Sequence, residues 1–128
     1  MRRTVITASL AAAAMLIGVV GMQAGSASPL KARATKCNIK GDQRDLGASY
    51  VTSLKVRGTS CAKGKGITKA FNNCRFQNGG ANGKCNHKVG AYTCSEHRYD
   101  AVKGVQYSSN VTCAAGGKRV WNTYTQNT

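Results

Sequence analysis

The chain has 128 residues, of which 19 are Lys or Arg and only 4 are Asp or Glu, so its formal net charge at pH 7 is +15. Six cysteines accompany an aromatic content of only 6%. A chain of this length has no room for a second folded domain, and its composition excludes a large apolar core.

The first residues have the pattern of a bacterial-type signal peptide. Met1-Arg2-Arg3 is followed by an apolar stretch over residues 5–20 and then by small residues. This pattern predicts export, with a signal peptide over residues 1–27 and cleavage after Ala27. Cleavage after Ser28 is a less favoured alternative. A retained membrane anchor is the other alternative, but the apolar stretch is shorter than the roughly 20 residues that span a bilayer. We therefore expect a secreted, extracellular protein without a stable membrane span after cleavage.

All six cysteines follow the predicted cleavage site: Cys37, Cys61, Cys74, Cys85, Cys94 and Cys113. An even number in a small exported domain predicts three disulfides. Each bridge adds about 2–4 kcal/mol of stability by restricting the unfolded chain. The spacing shows no Cys-x-x-Cys pair and no histidine cluster, so it predicts neither a metal site nor a metal cofactor.

The positive charge persists after the predicted cleavage. Removal of Arg2 and Arg3 leaves 17 basic residues against 4 acidic ones, a net charge of +13. Such a charge attracts anionic partners: nucleic acid, phosphorylated or uronic wall polymers, or acidic lipid. The alternative interpretation is that the charge serves solubility alone.

Residues 28–45 are polar and basic, and they are expected to form a flexible N-terminal segment tethered at Cys37. Residues 46–128 are then a single disulfide-rich domain. Its first element is a half-buried strand over residues 50–56, because Tyr50, Thr52, Leu54 and Val56 share one face while Ser53, Lys55 and Arg57 point the other way.

A helix is predicted next, over residues 61–74. Thr59 or Ser60 is suited to cap it, and Ile67, Ala70, Phe71 and Cys74 recur at helical spacing. Gly64 and Gly66 weaken its first turns by about 1 kcal/mol each relative to Ala.

Three strands follow the helix, over residues 89–96, 104–113 and 118–125, with Val105, Tyr107, Val111 and Cys113 on one face of the second. The sequence therefore predicts an α+β fold in which one helix packs on a small antiparallel sheet in the order β-α-β-β-β, stapled by disulfides.

The predicted elements also constrain the disulfide pairing. The glycine-rich loop over residues 78–83 lies between Cys74 and Cys85, so a local bridge is expected there. A turn over residues 97–103 would place Cys94 opposite residue 106. Cys94 and Cys113 are therefore expected to pair not with each other but with Cys37 or Cys61.

Three segments together resemble a group of small secreted actinobacterial domains that has no established activity. They are SLKVRGTSCAKGKGITKAF (53–71), GAYTCSE (90–96) and VTCAAGGKRVWNTYTQ (111–126), and the Arg-Gly-Thr-Ser-Cys step is the most specific part. The resemblance implies export, disulfides and a small α+β fold, and it transfers no catalytic residue.

An enzymatic function would have few residues to use. His97, His87 and Glu96 are weak candidates for the acid–base groups of a ribonuclease, with a cation such as Arg98 to stabilise the transition state. Glu96 and His97 are neighbours, however, so in a strand they face opposite sides. The residues therefore favour a non-enzymatic protein and assign no catalytic residue.

Binding is the better-supported class of function. The candidate binding residues are Lys55, Arg57, Lys63, Lys65, Lys69, Lys118 and Arg119. The rings of Tyr92, Tyr99, Tyr107, Trp121 and Tyr124 either share this basic surface or form the core. We expect a monomeric binding module for an anionic polymer of the cell envelope or an acidic protein, with nucleic acid as a further candidate ligand. The alternative is a small secreted nuclease, ribonuclease-like hydrolase or toxin.

Overall fold

The computed structural model describes residues 32–128, so the predicted signal peptide and its cleavage site lie outside the described residues. The described residues form a five-stranded antiparallel sheet with one long helix packed on it, which confirms the predicted α+β fold. The elements are β1 (Thr35–Lys36), β2 (Tyr50–Arg57), α1 (Cys61–Gln77), a short 3-10 helix (Gly80–Asn82), β3 (Thr93–Val102), β4 (Gln106–Ala115) and β5 (Lys118–Asn127). The strand order across the sheet is β1-β2-β5-β4-β3.

Strand β2 confirms the predicted alternation only in its second half. Leu54 and Val56 are buried, but a bulge between Val51 and Ser53 shifts the register against β5. A bulge inserts one residue and so reverses which side chains face inward. The prediction was therefore wrong for Tyr50 and Thr52, which are exposed, and Val51 takes the buried position.

Helix α1 begins as the sequence predicts and ends three residues later than predicted. The Ser60 side chain accepts a hydrogen bond from the backbone N–H of Lys63 at 3.2 Å, which caps the first turn. Ile67 and Phe71 are buried against the sheet, whereas Ala70 is exposed. The helix lies so close to β2 that a methyl group on Gly64 would stand 2.6 Å from Cγ1 of Val56.

The β3–β4 hairpin corrects two predictions. Strand β3 runs from Thr93 to Val102 and the turn lies beyond it, so Val105 is exposed rather than inward-facing. In this register Cys94 stands directly opposite Cys113, and the two form a disulfide. The prediction that they would not pair was wrong because it placed the turn too early in the chain.

The other two disulfides link α1 to the segment before β2 and to the loop after the helix. Cys74 pairs with Cys85, as predicted, and Cys37 pairs with Cys61 at the start of α1. Cys37 and the nearby Ile39 are buried in the core. The segment before β2 also contributes β1, a two-residue strand that the sequence did not predict.

Candidate binding surface

The sheet has two unlike faces. Helix α1 covers the face that carries Leu54 and Val56, and because side chains alternate along a strand, Lys55 and Arg57 lie on the opposite face. We call that opposite face the outer face. Strand register assigns to it Lys36, Tyr50, Ser53, Lys55, Arg57, Thr93, Ser95, His97, Tyr99, Val102, Gln106, Ser108, Asn110, Thr112, Ala114, Arg119, Trp121, Thr123, Thr125 and Asn127. Every one of these residues is half-buried or exposed.

Four cations gather on the part of the outer face formed by β1, β2 and β5. Three cross-strand pairs bring them together. Lys36 on β1 pairs with Lys55 on β2, Lys55 also pairs with Trp121 on β5, and Arg57 pairs with Arg119. Lys55 Nζ lies 6.0 Å and Arg57 Cζ 5.5 Å from the centre of the Trp121 ring, within the range of cation–π attraction.

A shallow cavity of about 400 Å³ opens beside Trp121. It is lined by Ala34, Lys36, Ser53, Leu54, Lys55, Trp121, Asn122 and Thr123. Strands β1, β2, β4 and β5 contain no acidic residue. In residues 32–128 the salt bridges are Lys65–Asp42 and Arg98–Glu96, so none of the four cations is ion-paired there. The cavity is therefore apolar at the ring and positive at its rim.

The structure divides the predicted binding residues into two groups. It brings Lys55, Arg57 and Arg119 together on the outer face, and Lys118 stands at the start of β5 beside the β4–β5 turn. The three helix lysines lie on α1, across the sheet from this group, and Lys65 of these is held by Asp42 at 2.5 Å. Lys36 was missed, because a two-residue strand has no periodicity that a sequence pattern could show.

The weak catalytic candidates lie apart. His97 is on the outer face, where its ring stacks on Tyr99 with 6.5 Å between ring centres. Glu96 points to the other side of the sheet, as predicted from the alternation of the strand. His87 is elsewhere, with its Nε2 atom 3.4 Å from the Cys74 sulfur. The three side chains therefore do not converge on one point.

Glu96 belongs instead to a polar cluster beneath the sheet. It accepts hydrogen bonds from Arg98 Nε at 3.0 Å, from Ser109 Oγ at 3.3 Å and from the Tyr124 hydroxyl. Burial, and then the hydrogen bond to Glu96, raise the pKa of Tyr124 well above its usual value. Burial opposes the charge of Arg98, but the hydrogen bond and charge of Glu96 outweigh it, and the pKa of Arg98 is raised.

Arg75 is the second cation of this interior and is completely buried. It donates to Asn72 Oδ1, the Ala81 carbonyl, the Tyr107 hydroxyl and Gln126 Oε1 at 2.7–3.1 Å. Its guanidinium also lies 4.6 Å from the centre of the Tyr124 ring. These bonds satisfy a buried charge and join α1 to β4 and β5, which is a structural role. No periodicity of the sequence distinguishes Arg75 from the exposed basic residues.

Cys74, Cys85 and His87 place their donor atoms within 4.8 Å of one another. Both sulfurs are bonded to each other in a disulfide, so this group offers no thiolate, the form in which cysteine binds metals.

No protein-family model, curated protein or solved structure matches the chain. The three disulfides fit an extracellular or otherwise oxidising compartment. Among residues 32–128 there is no helix long and apolar enough to cross a membrane.

Proposed function

We propose that the protein is a secreted, non-enzymatic and monomeric binding module, which attaches to anionic polymers of the cell envelope through its outer face. The observation that carries this proposal is the group of four cations, Lys36, Lys55, Arg57 and Arg119, around a partly exposed tryptophan with no acidic residue among them. A group of neighbouring cations without an acidic residue raises the positive potential at this surface, and an anionic ligand is attracted there.

Several features support this proposal over a charge that serves solubility alone. Solubility requires charge to be spread over the surface, but it does not require Lys55 and Arg57 to lie within 6.0 Å of the centre of one aromatic ring, or Lys36 and Lys55 to line the cavity beside it. The predicted signal peptide and the resemblance to secreted actinobacterial domains both support export. An acidic protein would meet the same positive surface and is the alternative partner.

The separation of the candidate acid–base groups disfavours the nuclease alternative. General acid–base catalysis needs both groups within hydrogen-bond reach of the same reacting bond. Glu96 lies beneath the sheet among Arg98, Ser109 and Tyr124, while His97 is on the outer face.

The test is co-sedimentation of the oxidised domain of residues 28–128 with isolated cell envelopes, over a series of salt concentrations. Retention by exposed charges should fall steeply as salt rises, because ions screen such contacts. The variant Lys36→Gln with Lys55→Gln removes two charges from the outer face. The matched control, Lys63→Gln with Lys69→Gln, removes two exposed charges of the same kind from α1.

The outer-face variant should weaken retention about fivefold, from about 0.5 kcal/mol for each exposed charge pair, and the helix variant should leave it nearly unchanged. Equal weakening by both variants would show that net charge, and not the outer face, binds the envelope. Absence of retention of the unmodified domain at low salt would contradict the proposal itself.

A further inference from the structure

We propose further that the polymer is an acidic polysaccharide, in which a sugar ring packs against the Trp121 indole while neighbouring carboxylate or phosphate groups contact Lys36, Lys55 and Arg57. This inference rests on the proposed function, because it names the polymer class that the outer face selects.

The first argument is the position of Trp121. It lies near the middle of the sheet, on β5 between β2 and β4, and it remains partly exposed although it is the largest side chain of the outer face. A flat aromatic ring presents an apolar surface to a ligand while its edge stays near water. Contact with phosphates or carboxylates alone would require only the cations, so the ring indicates a ligand that also has an apolar face.

The second argument is the cavity that adjoins the ring. At about 400 Å³ it falls within the size range of small-molecule pockets, and its rim carries both lysine ammonium groups and the hydroxyls of Ser53 and Thr123. A saccharide unit has a carbon–hydrogen face, several hydroxyls and, in an acidic polymer, a charge. The indole can pack against the carbon–hydrogen face, the Ser53 and Thr123 hydroxyls can bond to the sugar hydroxyls, and the lysines can attract the charge.

The third argument is the surface beyond the cavity. Between Trp121 and the His97–Tyr99 pair, the outer face is covered by hydroxyl and amide side chains: Ser95, Ser108, Asn110, Thr112, Thr123 and Thr125. Thr123 Oγ1 donates to Asn110 Oδ1 at 3.0 Å, which holds two of these groups in place. A neutral surface of hydrogen-bonding groups suits the many hydroxyls of a polysaccharide.

Single-stranded nucleic acid fits this surface less well. Proteins that bind it stack successive bases on successive aromatic side chains. Other rings on the outer face are Tyr50 on β2, opposite Thr125, and His97 and Tyr99 on β3. The cross-strand partners of Trp121 are Lys55 and Thr112, so no ring on β2 or β4 stands directly beside the indole.

The experiment uses Trp121 as its own reporter, because it is the only tryptophan of the chain. Tryptophan emission of the oxidised domain is followed during titration with oligogalacturonate, with inorganic polyphosphate and with oligodeoxythymidine at one ionic strength. Oligogalacturonate should change the emission and bind about tenfold more tightly than polyphosphate of equal total charge.

Calorimetric titration then compares variants, since Trp121→Leu has no reporter. Trp121→Leu should weaken oligogalacturonate binding about tenfold and polyphosphate binding less than about twofold. Trp121→Tyr keeps a ring and should recover part of the loss, which separates stacking from an unfolded variant. Tyr99→Leu, on the same face but away from the cavity, is the matched control and should leave both affinities within about twofold.

The outcomes distinguish the two proposals. Equal effects of Trp121→Leu on both polymers, or tighter binding of oligodeoxythymidine, would overturn the polysaccharide inference. If envelopes still retain the domain through Lys36 and Lys55 in that case, the proposed function stands although the polysaccharide inference is wrong. If neither envelopes nor any of the three polymers bind, both proposals are wrong.

Discussion

Replacing Gly64 by Ala would place a methyl group 2.6 Å from Cγ1 of Val56, whereas the same replacement at Gly66 meets no atom within 4 Å. Both glycines lie inside α1, so each alanine gains about 0.5–1 kcal/mol of helix propensity. At Gly66 nothing opposes that gain, and Gly66→Ala should stabilise the protein by about that amount.

At Gly64 the gain is opposed by overpacking. Val56 is 2% exposed and β-branched, so its side chain has little freedom to turn away from the new methyl group. Forcing an extra methyl into a packed core costs about 1–3 kcal/mol. Gly64→Ala should therefore destabilise the protein by up to about 2 kcal/mol, and the two variants should differ by about 1–3 kcal/mol.

The assay is urea unfolding of the oxidised protein, followed by far-ultraviolet circular dichroism for both variants in parallel. If Gly64→Ala stabilises the protein as much as Gly66→Ala does, the close approach of α1 to β2 is refuted. Adding Val56→Ala provides a second check, because it makes room for the methyl group. The double variant should then be more stable than the sum of the two single changes predicts.

Three further predictions concern the buried polar groups. Thr68 is fully buried and its hydroxyl has no hydrogen-bond partner among residues 32–128, so Thr68→Val should raise the free energy of unfolding by about 1–2 kcal/mol in the same urea assay; a loss of stability would show that the hydroxyl does have a partner. Arg75→Met leaves the buried Tyr107 hydroxyl and Gln126 Oε1 without their donor, and it should cost at least about 3 kcal/mol; a smaller loss would contradict the role given to this network. The raised pKa of Tyr124 means that above about pH 10 only the unfolded state loses this proton. Stability should therefore fall by about 1.4 kcal/mol between about pH 9 and pH 11, and Tyr124→Phe should lack that part of the fall.

Features that depend on a short stretch of sequence were predictable. Ser60 caps α1 because a hydroxyl next to a helix start meets free N–H groups whatever the rest of the fold does. Cys74 and Cys85 pair because one compact loop separates them. Leu54 and Val56 are buried because alternation along a strand already assigns them to one face.

Features that depend on register were not predictable. The Cys94–Cys113 bridge requires the hairpin turn to follow Val102. Gly104 lies in that turn with a φ of 72°, but one glycine does not determine which residues of β3 and β4 pair. The burial of Val51 in place of Tyr50 and Thr52 follows from a bulge, which arises from the fit of β2 to β5 rather than from β2 itself.

The sequence by itself determined the class of molecule: a basic, disulfide-bonded α+β domain, because charge, cysteine count and hydrophobic periodicity are properties of the chain. Only the tertiary structure decided where a ligand would bind. Lys36, Lys55 and Trp121 are far apart along the chain and become neighbours because β1 pairs with one edge of β2 and β5 pairs with the other. Packing of α1 on the other face then separates Lys55 from Lys63 and Lys69, which the sequence pattern had placed in the same group.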